Sequence, residues 1–280
     1  MDEAMNYYVT GANGFIGRNL IRYLTESGQN VTPVPRHFEE SIFDIEFEDP
    51  FTFIHLSAYG NHYNQKDTSQ IIKANIQDLK LLLAYFKNFK QPEKFINVST
   101  SSITLTCQTM YSLSKHFGEL MVDSMNNKRF INVRPYSVYG PLEAGHRFIP
   151  TVIRALENRE TIELDPYSKH DWIYVDDFIE AMLQGIPNVG TGISTSNLEV
   201  VRILEHLSFR ELKYTPGKMR DYDTQNWVCP VGVKHIPIYE GLKRTYESVT
   251  KQNKSNQQEV KPVSPGVKPN CSGNNRQGLS

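Results

Sequence analysis

Residues 10–17 read Thr10-Gly11-Ala12-Asn13-Gly14-Phe15-Ile16-Gly17, with glycines three apart. Just before them, residues 6–10 form a short β-rich run. Just after, apolar residues recur as Ile16, Leu20, Ile21 and Leu24 until Gly28 stops the pattern. A glycine-rich turn between a strand and a helix has a specific physical use. Gly11 permits the tight turn, Gly14 lets the backbone approach a pyrophosphate, and Gly17 lets the helix lie against the strand. The helix N-terminus then presents free N–H groups and a partial positive charge to the anion. The spacing alone is a weak signal, but its place on the first strand of a βαβ unit makes it specific. Gly11, Asn13, Gly14, Phe15, Ile16 and Gly17 are therefore read as cofactor-binding.

Strand and helix patterns alternate outward from this turn. Strands are expected at 30–34, 52–56, 94–98 and 130–134, and helices at 69–88 and 110–126. That alternation predicts an α/β fold: a Rossmann doubly wound parallel sheet. After Gly140-Pro141 the pattern loosens, with helices expected at 149–158, 175–184 and 198–207. Residues 1–140 with returning segments are read as the dinucleotide-binding domain, and 141–250 mainly as a smaller mixed α/β substrate lobe. From Lys251 the chain is rich in Lys, Asn, Gln, Ser, Pro and Gly, and 251–280 is read as a disordered tail.

Bulk properties exclude several classes. The formal net charge is -1, without the basic stripe that nucleic acid calls for. The three cysteines, Cys107, Cys229 and Cys271, are widely spaced and fit neither a disulfide framework nor a zinc pattern, so no metal is expected. The apolar runs are too short to span a bilayer, and the acidic N-terminus runs straight into a strand without a signal peptide. A cytoplasmic protein with no membrane partner is expected.

Tyr111 and Lys115 lie four apart at the start of a predicted helix and share one face. A nearby ammonium favours the phenolate of a tyrosine, and such a pair can exchange a proton with a hydroxyl or ketone. With 15 tyrosines, about one chance match to this spacing is expected, and two others occur. Tyr214/Lys218 encloses Pro216-Gly217 and cannot be a helical turn; Tyr239/Lys243 reads as a surface helix. Only Tyr111/Lys115 follows a strand and a hydroxyl cluster, Ser99-Thr100-Ser101-Ser102, that can bond the same reacting oxygen.

With these residues in place, the chain resembles the extended short-chain dehydrogenase/reductase family, in its nucleotide-sugar epimerase, dehydratase and reductase branch, over roughly residues 6–250. His55-Leu56-Ser57-Ala58, Arg134-Pro135-Tyr136-Ser137-Val138-Tyr139-Gly140-Pro141 and Asp171-Trp172-Ile173-Tyr174-Val175-Asp176-Asp177 carry the likeness in the family's order. The resemblance implies Ser101 as the hydroxyl that polarises the sugar C4 oxygen, Tyr111 as acid/base and Lys115 as its partner, the last two also touching the cofactor. It implies adenine contacts from Asp44 and Ile45, and a place beside the cofactor for Leu56, Ser57, Ala58 and Asn75. The substrate candidates are Ser137, Arg147, His170 and Arg220. His170 stands where the family has a phosphate-binding arginine, so Arg220 and then Arg147 are the better candidates for that charge. The loop to Tyr111 is short, so the catalytic hydroxyl is Thr100, Ser101 or Ser102. A dehydratase would carry Asp-Glu after that hydroxyl; Ser102-Ile103 stand there instead, which argues against dehydration. The resemblance also implies a homodimer through helices 69–88 and 110–126, using Leu79, Leu82, Leu83, Phe86, Phe117, Leu120 and Met121.

The second strand bears on the reaction. An acid at its end would bind the ribose 2′-hydroxyl of NAD, whereas an arginine suits a 2′-phosphate. Here it ends in Pro35-Arg36-His37. NADP(H) is therefore preferred, with NAD(H) as the alternative, and a reductase of a 4-keto-6-deoxy nucleotide sugar is preferred over a 4-epimerase with retained NAD. A dinucleotide-sensing binding protein on the same fold would not need the Tyr111/Lys115 pair.

Overall fold

A computed structural model describes residues 5–35, 42–62, 64–219 and 227–259, with side chains as far as Lys251. The first half runs β1 (Asn6–Thr10), α1 (Phe15–Glu26), β2 (Asn30–Val34), β3 (Phe51–His55), α2 (Thr68–Ile72), a π turn (Lys73–Gln77), α3 (Asp78–Asn88), β4 (Lys94–Val98), α4 (Met110–Asp123) and β5 (Phe130–Pro135). The second half runs β6 (Ser137–Tyr139), α5 (Phe148–Asn158), β7 (Thr161–Leu164), β8 (Lys169–His170), β9 (Trp172–Tyr174), α6 (Val175–Gln184), β10 (Asn188–Val189), β11 (Thr195–Ser196), α7 (Asn197–Ser208), β12 (Lys213–Pro216) and α8 (Ile238–Glu259).

One sheet dominates, in the order β10-β5-β4-β3-β1-β2, and every pairing in it is parallel. The fold is Rossmann-like. The order reverses between β1 and β3, because the chain leaves β1 towards β2 and returns on the other side. Ligands of such sheets bind outside the carboxyl ends of the strands at that reversal. Val9 pairs with Ile54 and Thr10 with His55, so both strands end at the same level. Among the described residues the sheet stops at β2, an exposed strand that carries Pro33, and at β10, only two residues long.

The two sides of the sheet are packed differently. One core, including Leu20, Ile96, Val133, Phe178 and Val200, lies under α1 and α5 to α8. The other is largely aromatic: Tyr8, Phe47, Phe51, Phe53, Phe86, Phe95 and Phe130. Phe53 stacks on Phe95 at 5.6 Å and meets Phe86 edge-on at 4.8 Å, geometries that add about 0.5–1.5 kcal/mol each beyond area burial. Leu79, Leu82, Leu83 and Phe86 of α3 all belong to this core and are buried. They face the sheet, and the expectation that they form a subunit interface is corrected accordingly.

The remaining strands make short ladders: β6 with β9 and β7 with β12 in parallel, and β8 with β11 antiparallel. None was expected from the sequence, since runs of two to four residues have no measurable period. At the other end α8 runs on to Glu259. Helical backbone thus extends past Lys251, where composition places the start of a tail; residues 260–280 lie outside the described set.

Candidate active site

The glycine turn sits at the carboxyl end of β1. Gly11 has φ +69°, and a Cβ on it would come within 2.8 Å of the Leu56 carbonyl carbon and the Ser57 nitrogen. Its bare backbone therefore lets the turn press on the end of β3. A Cβ on Gly17 would lie 2.3 Å from the Gly11 carbonyl oxygen, so the helix closes on the turn only because that position has no side chain. Gly14 is the N-cap of α1 and supplies no side-chain cap. The first N–H groups of a 12-residue helix are thus left to an outside acceptor. This cradle fits the pyrophosphate of a dinucleotide.

The neighbouring strand end is held by side chains. The Leu56 N–H donates to the Thr10 carbonyl at 3.3 Å and the Ser57 N–H to the Thr10 hydroxyl at 3.3 Å. Thr10 Oγ1 and His55 Nδ1 are 2.9 Å apart. Burial, reinforced by the Lys115 charge, lowers the His55 pKa to about 3, so the ring is neutral. Asn75 lies in the π turn and is buried. Its Oδ1 accepts from the Tyr59 N–H at 2.9 Å, and its Nδ2 donates to the Tyr59 carbonyl at 2.8 Å and to Ser114 Oγ at 2.9 Å. Both amide hydrogens are spent within the protein, and Asn75 thereby shapes the loop after β3. Asp44 is exposed at the end of a 3-10 turn (Ile42–Asp44), while Ile45 packs on the aromatic core.

Helix α4 starts in a capping box, in which Thr109 and Ser112 satisfy each other's backbone N–H groups. Tyr111 is half-buried in its first turn and Lys115 is 3% exposed one turn later. Burial pushes the phenol up to about 12, and Arg147 is the cation that opposes this rise. The sequence suggests Lys115 for that part. Burial lowers Lys115 itself to about 8, partly offset by Glu119.

The hydroxyl cluster divides. Ser101 is buried, and its Oγ donates to the Pro135 carbonyl at 2.7 Å. Here its proton is committed to backbone, so the hydroxyl would have to turn to reach a substrate oxygen. Thr100 and Ser102 are half-buried, with hydroxyls 2.9 Å apart; either can be the donor of that pair.

The opposite wall contains residues that the sequence did not single out. His62, from the loop after β3, meets His146 with ring nitrogens 2.7 Å apart. Arg147, the N-cap of α5, pairs with Glu143 at 3.6 Å. Burial pushes Glu143 up to about 7, against the pull of Arg147, and its Oε2 is buried without a partner among the described residues. His62 and Glu143 come from separate loops, and no local spacing announces them. Ser137 is half-buried in β6, its N–H bonded to the Asp171 carbonyl at 2.9 Å. His170 is 8% exposed and lies edge-on to Trp172 at 5.1 Å. It packs within the lobe. Arg36 and Arg220 lie outside the described residues. So the structure brings the glycine turn against the 55–58 strand end, Lys115 near His55, and Arg147 near Tyr111.

The chain is 28% identical over 261 residues to CDP-abequose synthase of Salmonella muenchen, covering 79% of this chain and 87% of that protein. It is 24% identical over 251 residues to GDP-6-deoxy-D-talose 4-dehydrogenase of Aggregatibacter actinomycetemcomitans, covering 77% and 84%. A solved structure of MoeE5 in complex with UDP-glucose and NAD superposes with a TM-score of 0.75 at 22% identity, covering 89% of this chain and 99% of that one. Residues 7–197 match the NAD dependent epimerase/dehydratase family, and the chain belongs to that family.

Proposed function

We propose that this chain is an oxidoreductase acting at C4 of a nucleotide-linked sugar, reducing a 4-keto-6-deoxy nucleotide sugar with NADPH. The observation that carries the reading is the placement of Tyr111, in the first turn of α4, one turn before the buried Lys115 and packed against Gly60 of the loop after β3. A phenol held protonated is poised to give a proton to a ketone oxygen. A 4-epimerase, the second reading, would first need that phenol as a base. The relative named as a 4-dehydrogenase of a 6-deoxy sugar nucleotide supports chemistry at C4.

Residues 11 and 13–17, with Leu56, Ser57 and Ala58, would hold the dinucleotide. When bound, the nicotinamide supplies the hydride. The chain's own part is to bind and polarise. Ser101, or its neighbour Thr100 or Ser102, hydrogen-bonds the ketone oxygen, Tyr111 transfers its proton to that oxygen, and the Lys115 and Arg147 cations stabilise the phenolate left behind. The proton is then regained from solvent. Arg147, at the N-terminus of α5, is also a candidate to hold the substrate's phosphates.

A homodimer fits the exposed stripe of Met110, Leu113, Phe117 and Leu120 on α4, spaced three or four apart, beside Ile72 of α2. Among the described residues no helix is long and apolar enough to cross a membrane.

The cofactor assignment rests on Arg36, whose guanidinium suits a 2′-phosphate. Wild type should bind NADPH more tightly than NADH, and Arg36→Ala should weaken NADPH alone, by about 10- to 150-fold. Calorimetry with both cofactors at one salt concentration checks this. Equal affinities in wild type would return the lead to an epimerase with retained NAD.

A further inference from the structure

Glu119 follows Lys115 by one helical turn on the same face of α4. Its side chain is 2% exposed. Arg134 of β5 grips it in two prongs, with Nε donating to Oε1 at 2.9 Å and Nη2 to Oε2 at 2.6 Å. A carboxylate this deep is costly unless paired and hydrogen-bonded, and the proton transfer by Tyr111 does not use it. Several elements present titratable or charged groups to this region. The β3 strand brings His55, which is neutral; α4 brings Tyr111, Glu119 and Asp123; β5 brings Arg134, with Tyr136 just after it; and Arg147 at the start of α5 acts on Tyr111. Among the described residues Glu119 is the negative charge that acts on Lys115, yet both its oxygens are taken by Arg134 and the Lys115 ammonium donates no hydrogen bond to it.

We propose that Glu119, aimed by Arg134, is a positioning residue for Lys115: it supplies the counter-charge that keeps a buried ammonium charged, while Arg134 stops the two from locking together and leaves the ammonium directed at the cleft. An unshared Glu119 would draw Lys115 down its own helix into an i, i+4 ion pair. A Lys115 without Glu119 would lose its proton more readily, because burial alone disfavours the charge. Arg134 resolves this conflict by occupying the carboxylate. The importance of the arrangement for turnover rests on the reading of Lys115 as the partner of Tyr111; the electrostatic claim stands without it.

The test uses the full chain, free of cofactor and labelled with ¹³C-lysine. The Cε signal of Lys115, assigned with Lys115→Arg, is followed against pH. Glu119→Gln keeps the shape and removes the charge, and should lower the titration midpoint of Lys115 by about one pH unit. The alkaline limb of the turnover profile should move down with it. The double variant Glu119→Gln/Arg134→Gln removes both charges, keeps the test open if the single variant does not fold, and should lower the midpoint less but in the same direction. An unmoved midpoint in the folded variants would overturn the proposal. So would a uniform loss of turnover at every pH with the wild-type midpoint, since that is the mark of a structural brace. A midpoint that moves as expected in a protein whose wild type reduces no nucleotide sugar would refute the proposed function and leave the positioning role intact.

Discussion

In the large sheet the strands from β1 to β5 are five or six residues long, and each is located by the backbone ladder it shares with its neighbours. In the lobe the ladders are two to four residues long, and a side chain takes over that work. Asp171 is fully buried and accepts from the Thr191 N–H and hydroxyl, both at 2.6 Å, and from the Gly192 and Cys229 N–H groups, both at 2.9 Å. Gly190 leaves it room: a Cβ there would stand 2.5 Å from Asp171 Oδ2. One carboxylate thus ties together segments far apart in the chain. Repetitive backbone pairing tolerates the loss of a side chain, whereas an arrangement hung on one carboxylate does not.

The largest expected effect breaks the lobe. Asp171→Ala takes the acceptor from the buried Cys229 N–H, the half-buried Thr191 N–H and hydroxyl and the Gly192 N–H, and should cost about 3 kcal/mol of stability. Urea unfolding followed by Trp172 and Trp227 fluorescence reads it; a midpoint within error of wild type would show that the lobe does not depend on this staple. The next variant should spare stability and remove chemistry. Tyr111→Phe is expected to lower kcat about 10²-fold or more, with melting temperature and dinucleotide affinity near wild type. Near-normal turnover would take Tyr111 out of the mechanism. The smallest effect on the single chain is Phe117→Glu, which places a charge in the exposed α4 stripe. Light scattering should show a dimer for wild type and a monomer for the variant, with the far-ultraviolet circular dichroism unchanged. A variant that stays dimeric would move the interface elsewhere.

How much of the molecule is legible in its sequence follows the same division. The strands at 6–10, 30–34 and 94–98 and the helix at 175–184 have the bounds that hydrophobic period and glycine stops predict. The segment 69–88 reads as one helix, but a π turn at Lys73–Gln77 interrupts it where Asn75 bonds the loop after β3. That contact joins two elements, and no period within one of them can reveal it. In the site, Tyr111 and Lys115 are legible because a helix converts spacing into a shared face. The choice among Thr100, Ser101 and Ser102 is not, because it turns on a 3-10 turn that points Ser101 at Pro135. Asp171 is visible in the sequence as part of a motif, but its role as a buried acceptor depends on Thr191 and Cys229 arriving from elsewhere.

The two ends of the main sheet have a consequence for the protein in a crowded solution. An open sheet edge is a template on which another chain can add a strand and start an aggregate. At one end Pro33 interrupts β2, opposite Val9 in the register, and a proline has no N–H to offer a newcomer. At the other, β10 is two residues long and gives too little ladder to hold one. Among the described residues both edges are thus poor templates for an added strand, one because an imino acid interrupts it and the other because it is truncated.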